Sequence, residues 1–245
     1  MTSGTTSTTP SDTLLSPPTP SERMALALSR RLGPGRIIVG AASAIPITAV
    51  LYAKNVRGLA IDWICSGTGF VNPRPDQLWP SSTQFEYRDG ATSVLPYHEI
   101  ATLFERGFDY TFFGGLEVDG AGRLNTTVTS SGAMGPGPAG LPVGMARARN
   151  VLIYMTRHHR RALVDKVAHV TGRPAGNVRA IVTPKAEFEM GGERPTLVRV
   201  LSGTEAEIAE GTGFDYATAA GSLDQTISDD ALAALRAIDR GGMLR

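Results

Sequence analysis

Cys65 is the chain's single cysteine, and it stands where a reactive group would be useful. It ends the apolar run LAIDWIC (59–65) and precedes Ser66-Gly67-Thr68-Gly69. Ligands of open α/β sheets sit at the carboxyl ends of strands, and Cys65 is the last residue before such a turn. As a thiolate it could accept an acyl group by exchange with a thioester, given a base to ionise it. Free cysteines are also commonly buried and inert. A second group of interest is the small-residue loop Gly40-Ala41-Ala42-Ser43, between an apolar strand and Pro46. Its backbone N–H groups could approach an anion or a thioester oxygen. The same loop could equally be a tight turn under a neighbouring helix.

These residues need a frame to hold them. Arg36–Gly40 (RIIVG) reads as a short buried strand, Pro46–Val56 as a helix with proline in its first turn, and Leu59–Cys65 as a second strand. Strand, helix and strand within about thirty residues make a βαβ unit with parallel strands and a right-handed crossover. Before it, Glu22–Leu32 carries Met24, Leu28 and Leu32 at helical spacing with Ser21 as N-cap. After it, the stretch 72–90 is Pro-rich and irregular. Tyr97–Arg106 reads as a helix, Tyr110–Phe113 as a strand, and Gly120-Ala121-Gly122 as a hairpin turn. Ser130–Gly144 reads as a loop. Asn150–Thr156, Leu163–Thr171, Val178–Thr183 and Leu197–Leu201 read as strands, and Thr204–Gly211 and Ser228–Asp239 as helices. The fold class expected is α/β: an open, mostly parallel sheet with flanking helices. Residues 1–20, rich in Ser, Thr and Pro, form an expected disordered leader, and residues 21–245 a single α/β domain.

Composition narrows the partners. Lys and Arg number 24 against 23 Asp and Glu, so no overall field draws the chain to nucleic acid or an anionic membrane. One thiol excludes an internal disulfide and a cysteine-based zinc site, and four scattered histidines do not suggest a metal. The opening stretch is not a secretory signal, and the apolar run near Ile37–Val50 is too short to span a bilayer. The expectation is a cytoplasmic protein without a metal.

Four segments carry a family resemblance. FFGGLEVDGAGRLNTTV (112–128) resembles the F-x-G-G-x-x-V/I-D-x-x-G-N-x-N-T-T stretch of β-type subunits in family I coenzyme A transferases, such as glutaconate CoA-transferase. NVLIYMTRHHRRALVDKVAHVT (150–171) resembles the buried strand and His-x-x-Arg-Arg segment that follow it. RVLSGTEAEIAEGTGFDYA (199–217) is similar to the family's H-P-G-V-T-x-E-x-V-x-x-x-T-G-F, and IIVGAASAIPITAVLYAK (37–54) to its first βα turn. The matches keep their order over about residues 22–240. The resemblance implies a CoA-transferase fold, an acyl-CoA or related thioester as substrate, and an α-type partner subunit with the site between the two. It implies Gly40, Ala41, Ala42, Ser43, Gly67, Gly114 and Gly115 as candidate residues for holding coenzyme A. Gly114, Gly115 and Asn125 read also as hairpin architecture.

The sequence departs from the family where its chemistry lies. Family enzymes end the second strand in a nucleophilic glutamate; Cys65 falls at that position, and Asp62 alternates to the other face. A thiol forms no anhydride with an acyl group, so transfer by the family's route is not expected from this chain. A second departure is LPVGMARARN (141–150), whose Arg147 and Arg149 replace small residues; they and the run His158-His159-Arg160-Arg161 could meet CoA phosphates or lie on solvated faces. Three readings follow. Cys65 is an acyl-accepting nucleophile, with His158 or His159 or a partner's group as base. Or the chain shapes the pocket for thioester or carbon–carbon bond hydrolysis on an α-type partner. Or it is a non-catalytic structural or regulatory subunit.

Overall fold

The computed structural model describes residues 15–40, 44–221, 223 and 226–245. Its first element, helix α1 (Pro20–Arg30), is started by Thr19 rather than Ser21. The Thr19 hydroxyl accepts from the Glu22 N–H at 3.2 Å, and the Glu22 carboxylate accepts from the Thr19 N–H at 2.7 Å. This reciprocal capping box, with Pro20 pre-set for the first turn, draws Thr19 and Pro20 out of the expected leader and into the fold; residues 1–14 lie outside the described residues.

The βαβ unit forms as read. Strand β1 (Gly35–Val39), helix α2 (Ala44–Asn55) and strand β2 (Ile61–Cys65) give a parallel pair in register from Gly35↔Ile61 to Val39↔Cys65. Helix α2 is apolar almost all round because α1, α6 and the sheet enclose it. Then come β3 (Phe70–Val71), a 3₁₀ turn (Phe85–Arg88), β4 (Ser93–Val94), α3 (Tyr97–Arg106), β5 (Phe108–Phe113), β6 (Glu117–Val118), β7 (Leu124–Asn125), α4 (Leu141–Arg147), β8 (Ala148–Tyr154), β9 (Val178–Val182), β10 (Ala186–Glu189), β11 (Thr196–Val200), α5 (Glu205–Gly211), β12 (Ala217–Thr218) and α6 (Asp229–Ile238).

Ten strands form one sheet in the order β12-β11-β10-β9-β8-β5-β1-β2-β3-β4, parallel from β9 through β2, with antiparallel pairs at β9–β10–β11 and β2–β3–β4 and a last parallel pair, β11–β12. The chain leaves β1 towards β2 and later returns to β1's other side with β5. That reversal marks the switch point at which such sheets open a crevice. Side-chain alternation divides the core. Ile37, Val39, Trp63, Cys65, Phe112 and Leu152 pack beneath α1, α2 and α6, while Ile38, Val151, Ile153 and Ile181 pack on the opposite face with Met145, Leu163 and Ile208.

Three expectations change. Leu163–Thr171 is no strand: Leu163 and Val167 are buried, but the N–H groups of Val167 and Ala168 are taken by the carboxylates of Asp119 and Glu117. Side-chain acceptors replace the ladder there. The expected loop 130–144 ends in helix α4, opened by Pro142. Strand β10, with two glutamates in four residues, was not foreseen; Arg31 pairs both Glu187 and Glu189.

Candidate active site

Cys65 is the last residue of β2 and is 0% exposed. It points to the helix-covered face with Trp63. The turn after it is tight: the Gly69 N–H donates to the Cys65 carbonyl at 2.8 Å, and the Ser66 N–H to that of Val39 at 3.0 Å. Gly69 has φ +78°, and a Cβ there would lie 2.0 Å from the Leu95 carbonyl oxygen, so glycine is required twice over. Burial pushes the Cys65 thiol up to about 12, and a hydrogen bond from Thr68 pulls weakly the other way. So raised, the thiol favours its S–H form, which can donate a hydrogen bond.

The topology brings part of the expected site together. Gly40 follows β1, Cys65 ends β2 and Gly114 follows β5, so all three stand at the carboxyl ends of adjacent strands. Among the described residues a Cβ on Gly40 would meet nothing nearer than the Ser66 Oγ at 3.8 Å. Ala41, Ala42 and Ser43 lie outside the described residues. The other glycines are closely packed by protein. A Cβ on Gly67 would be 2.5 Å from the Thr83 methyl, one on Gly114 3.1 Å from the Tyr154 carbonyl oxygen, and one on Gly115 3.0 Å from that of Asn125.

Other candidates stand elsewhere. His158 follows β8, three strand spacings from β2, or roughly 14 Å across the sheet. It is held between the Thr183 hydroxyl at 2.8 Å and the Ile208 carbonyl at 3.2 Å, so it is not the solvated turn residue expected. Burial lowers its pKa, Lys185 and His159 adding to this against the Ile208 carbonyl. Arg149 pairs with Asp109 at 2.9 Å at the amino end of β8, and Arg147 is exposed just before that strand. Both stand at the end of the sheet opposite to Cys65. Asp62 is exposed, accepting from the Asn72 amide at 2.8 Å. The family-motif residues are architectural: Asp119, fully buried, closes its hairpin through the N–H groups of Ala121 and Arg123 and the Arg123 guanidinium, and Asn125 ties Glu117 to Val128.

What the sequence did not reveal is the shell around Cys65, supplied by the irregular stretch 72–90. The buried Tyr87 ring meets Trp63 edge-on at 5.9 Å, and its hydroxyl both accepts from and donates to the Trp79 backbone. Ser82 is fully buried against the end of β1. Only the small polar run Ser81-Ser82-Thr83 hinted at this. Two cavities, of about 400 and 270 Å³, lie away from Cys65, behind α2 and α6 and at the amino ends of β1 and β5. Among the described residues no three His, Cys, Asp or Glu side chains gather as a metal site, and no helix is long and apolar enough to cross a membrane.

No protein-family model and no curated protein matches the sequence. Solved structures do. The decarboxylase AibA/AibB has a chain that superimposes with a TM-score of 0.80 at 28% identity, covering 92% of this chain and 97% of that one. Variants of that decarboxylase with one cysteine replaced by Asn, Val, Ser or Ala match with TM-scores of 0.79 to 0.81. Glutaconate coenzyme A-transferase from Acidaminococcus fermentans gives 0.76 at 19% identity over 93% of this chain and 97% of its own. The chain has the β-type fold of the family I coenzyme A transferases. IpdAB of Rhodococcus jostii RHA1 shares that fold, with a TM-score of 0.73 at 15% identity over 92% of this chain and 96% of that one. In that fold Cys65 is the last residue of the second strand.

Proposed function

We propose that this chain is the β-type subunit of a cytoplasmic heteromeric enzyme that decarboxylates an acyl-CoA, with Cys65 as the proton donor. What supports the reading is the setting of the thiol: fully buried at the end of β2, its pKa pushed up by burial, at the strand end that the resemblance aligns with the family's nucleophile. Among the described residues no base is hydrogen-bonded to it, and the position carries a thiol rather than a carboxylate, which favours acyl transfer less. A neutral S–H suits the second half of a decarboxylation. The bond between the carboxylate carbon and its neighbour breaks, CO₂ leaves, and the electron pair passes into the thioester carbonyl as an enolate. Cys65 then donates its proton to the carbon, and water reprotonates the thiolate. The substrate class is a thioester with a second carboxylate placed β to the carbonyl or in conjugation with it. The 28% identity to AibA/AibB over 92% of this chain supports the same reading, since that protein is a decarboxylase whose single-cysteine variants have been crystallised.

Residues Gly40, Ala41, Ala42 and Ser43 are proposed to receive the thioester oxygen, with Gly67, Gly114 and Gly115 shaping the walls. An α-type partner fits the surface beside the Cys65 turn. Phe85, Val94 and Tyr97 are 63%, 57% and 80% exposed there, next to the short edge strand β4. Contiguous apolar exposure of this kind marks contact surfaces.

The test is co-expression with a candidate α-type chain and incubation with a panel of acyl-CoAs in D₂O. Release of CO₂ with one deuterium fixed in the product, lost in Cys65→Ala, is the expected result. Free CoA without CO₂ would instead assign a hydrolase. Decarboxylation unaffected by Cys65→Ala would move the chemistry to the partner and leave this chain as pocket wall.

A further inference from the structure

Ser82 touches both halves of the site through one residue. Its side-chain oxygen lies 3.0 Å from the Val39 carbonyl and also reaches the Gly40 carbonyl, so two successive peptide units at the end of β1 converge on one hydroxyl. Successive carbonyls of a strand point to opposite sides; their convergence marks the place where the chain leaves the sheet. The Ser82 carbonyl in turn accepts from the Thr68 hydroxyl at 3.3 Å, in the turn that follows Cys65. One position along, Thr83 packs so closely on Gly67 that a Cβ there would be 2.5 Å away. Ser82 is held from behind as well, because Tyr87 pins the Trp79 backbone and lies edge-on to Trp63.

We infer that Ser82 is the positioning residue that sets the end of β1, at Val39 and Gly40, against the turn that follows Cys65. The inference rests on the functional reading above for its effect on turnover, but not for its effect on the thiol. The Val39 carbonyl keeps the Ser66 N–H if the hydroxyl is removed. The Gly40 carbonyl, half-buried and with no second donor among the described residues, loses its tie to the strap. The strap 81–83 then loses its hold on β1 and keeps only its contact with the turn.

The experiment compares Ser82→Ala and Thr68→Val with the parent in the full chain, alone and in the active complex. Iodoacetamide labelling of Cys65, followed by intact mass at pH 9, reads the closure of the site. Ser82→Ala is expected to label at least threefold faster than the parent; Thr68→Val cuts the strap's other tie but also removes the hydrogen bond that eases ionisation of the thiol, so faster labelling in it counts for the strap against that effect. Glu22→Gln, which weakens a buried ion pair far from the strap, is the stability-matched control; its labelling should stay within threefold at the same interval below its Tm. In the complex, Ser82→Ala is expected to lower kcat at least tenfold with KM within threefold. Labelling of Ser82→Ala within threefold of the parent, or no faster than the control, overturns the inference. If the parent complex turns over no acyl-CoA, the decarboxylase reading falls while the labelling still decides the role of Ser82.

Discussion

Val39 and Cys65 face each other across the last rung of the β1–β2 ladder, which fixes the thiol by backbone pairing and seals it under the helices. An exposed cysteine ionises near pH 8.5; this one is pushed up to about 12 by burial. Alkylation of the isolated chain should therefore rise with pH without levelling below about pH 11, and be slow throughout. Stability should move in the opposite sense. The folded thiol's pKa lies above its unfolded value, so whatever Cys65 contributes is fully present below about pH 9 and declines as pH climbs towards 12. A labelling curve that levels off below pH 9 would show an accessible, ionised thiol and would revive the nucleophile.

Much of this frame was legible because its signals are local. The β1–α2–β2 unit declared itself through apolar runs cut by Pro46 and by the glycines after Cys65, and the amphipathic stretches 204–211 and 228–239 read as helices, which Thr204 and Ser228 cap in the structure. The hairpin reading of Asn125 held for the same reason: its partners are within eight positions. The shell of the site was not legible. Ser82 meets Val39 and Gly40 across more than forty residues, and nothing in a Pro-rich stretch says which strand end it will cover. Arg149 stands at the amino end of β8 and His158 beyond its carboxyl end, three strands from β2, and residue type reveals neither the end nor the strand that a side chain will occupy. Strand β10 hid because two of its four residues are glutamates, and the burial of Glu187 makes sense only once Arg31 is placed beside it.

Glu22 and Arg236 join the first helix to the last. The Arg236 Nε lies 2.7 Å from the Glu22 carboxylate, and the Glu22 side chain is fully buried. Burial alone would raise the carboxyl pKa, but the bonds from Arg236 and the Thr19 backbone draw it below its ordinary value. Replacing one partner leaves the other charge enclosed, so Glu22→Gln is expected to cost about 3 kcal/mol, or about 6–12 °C in Tm for a chain of this size. A depressed folded pKa means that this stability is present above about pH 4.5 and is lost as pH falls through the folded value. Melting curves of parent and variant should accordingly converge in acid; a constant gap down to pH 3 would contradict the linkage.

His158 is expected to make the protein sensitive at milder pH. Its Nε2 faces the Ile208 carbonyl and so carries the proton of the neutral ring, leaving Nδ1 to accept from Thr183. Burial lowers the pKa below 6.5. The unfolded chain then takes up a proton first, and stability falls as pH drops below about 6.5. His158→Phe should flatten the Tm profile between pH 7.5 and 5 even if its absolute Tm is lower. Parallel profiles for the two proteins would place the pH dependence elsewhere.

Gly58 and Gly69 share a left-handed backbone, with φ of +68° and +78°, but not the same surroundings. A Cβ on Gly58 would meet nothing within 4 Å, while one on Gly69 would be driven to 2.0 Å from the Leu95 carbonyl oxygen. The left-handed conformation alone costs a side chain about 1–2 kcal/mol, which is the whole expectation for Gly58→Ala. Gly69→Ala adds a clash with backbone that cannot rotate away, at about 1–3 kcal/mol more. It also strains the turn in which the Gly69 N–H holds the Cys65 carbonyl. Chemical denaturation of the two variants should separate them by that second amount, with Cys65 labelling accelerated only in Gly69→Ala. Equal losses of stability would mean that Leu95 does not press on the turn, and that the closure of the Cys65 site is looser than its packing implies.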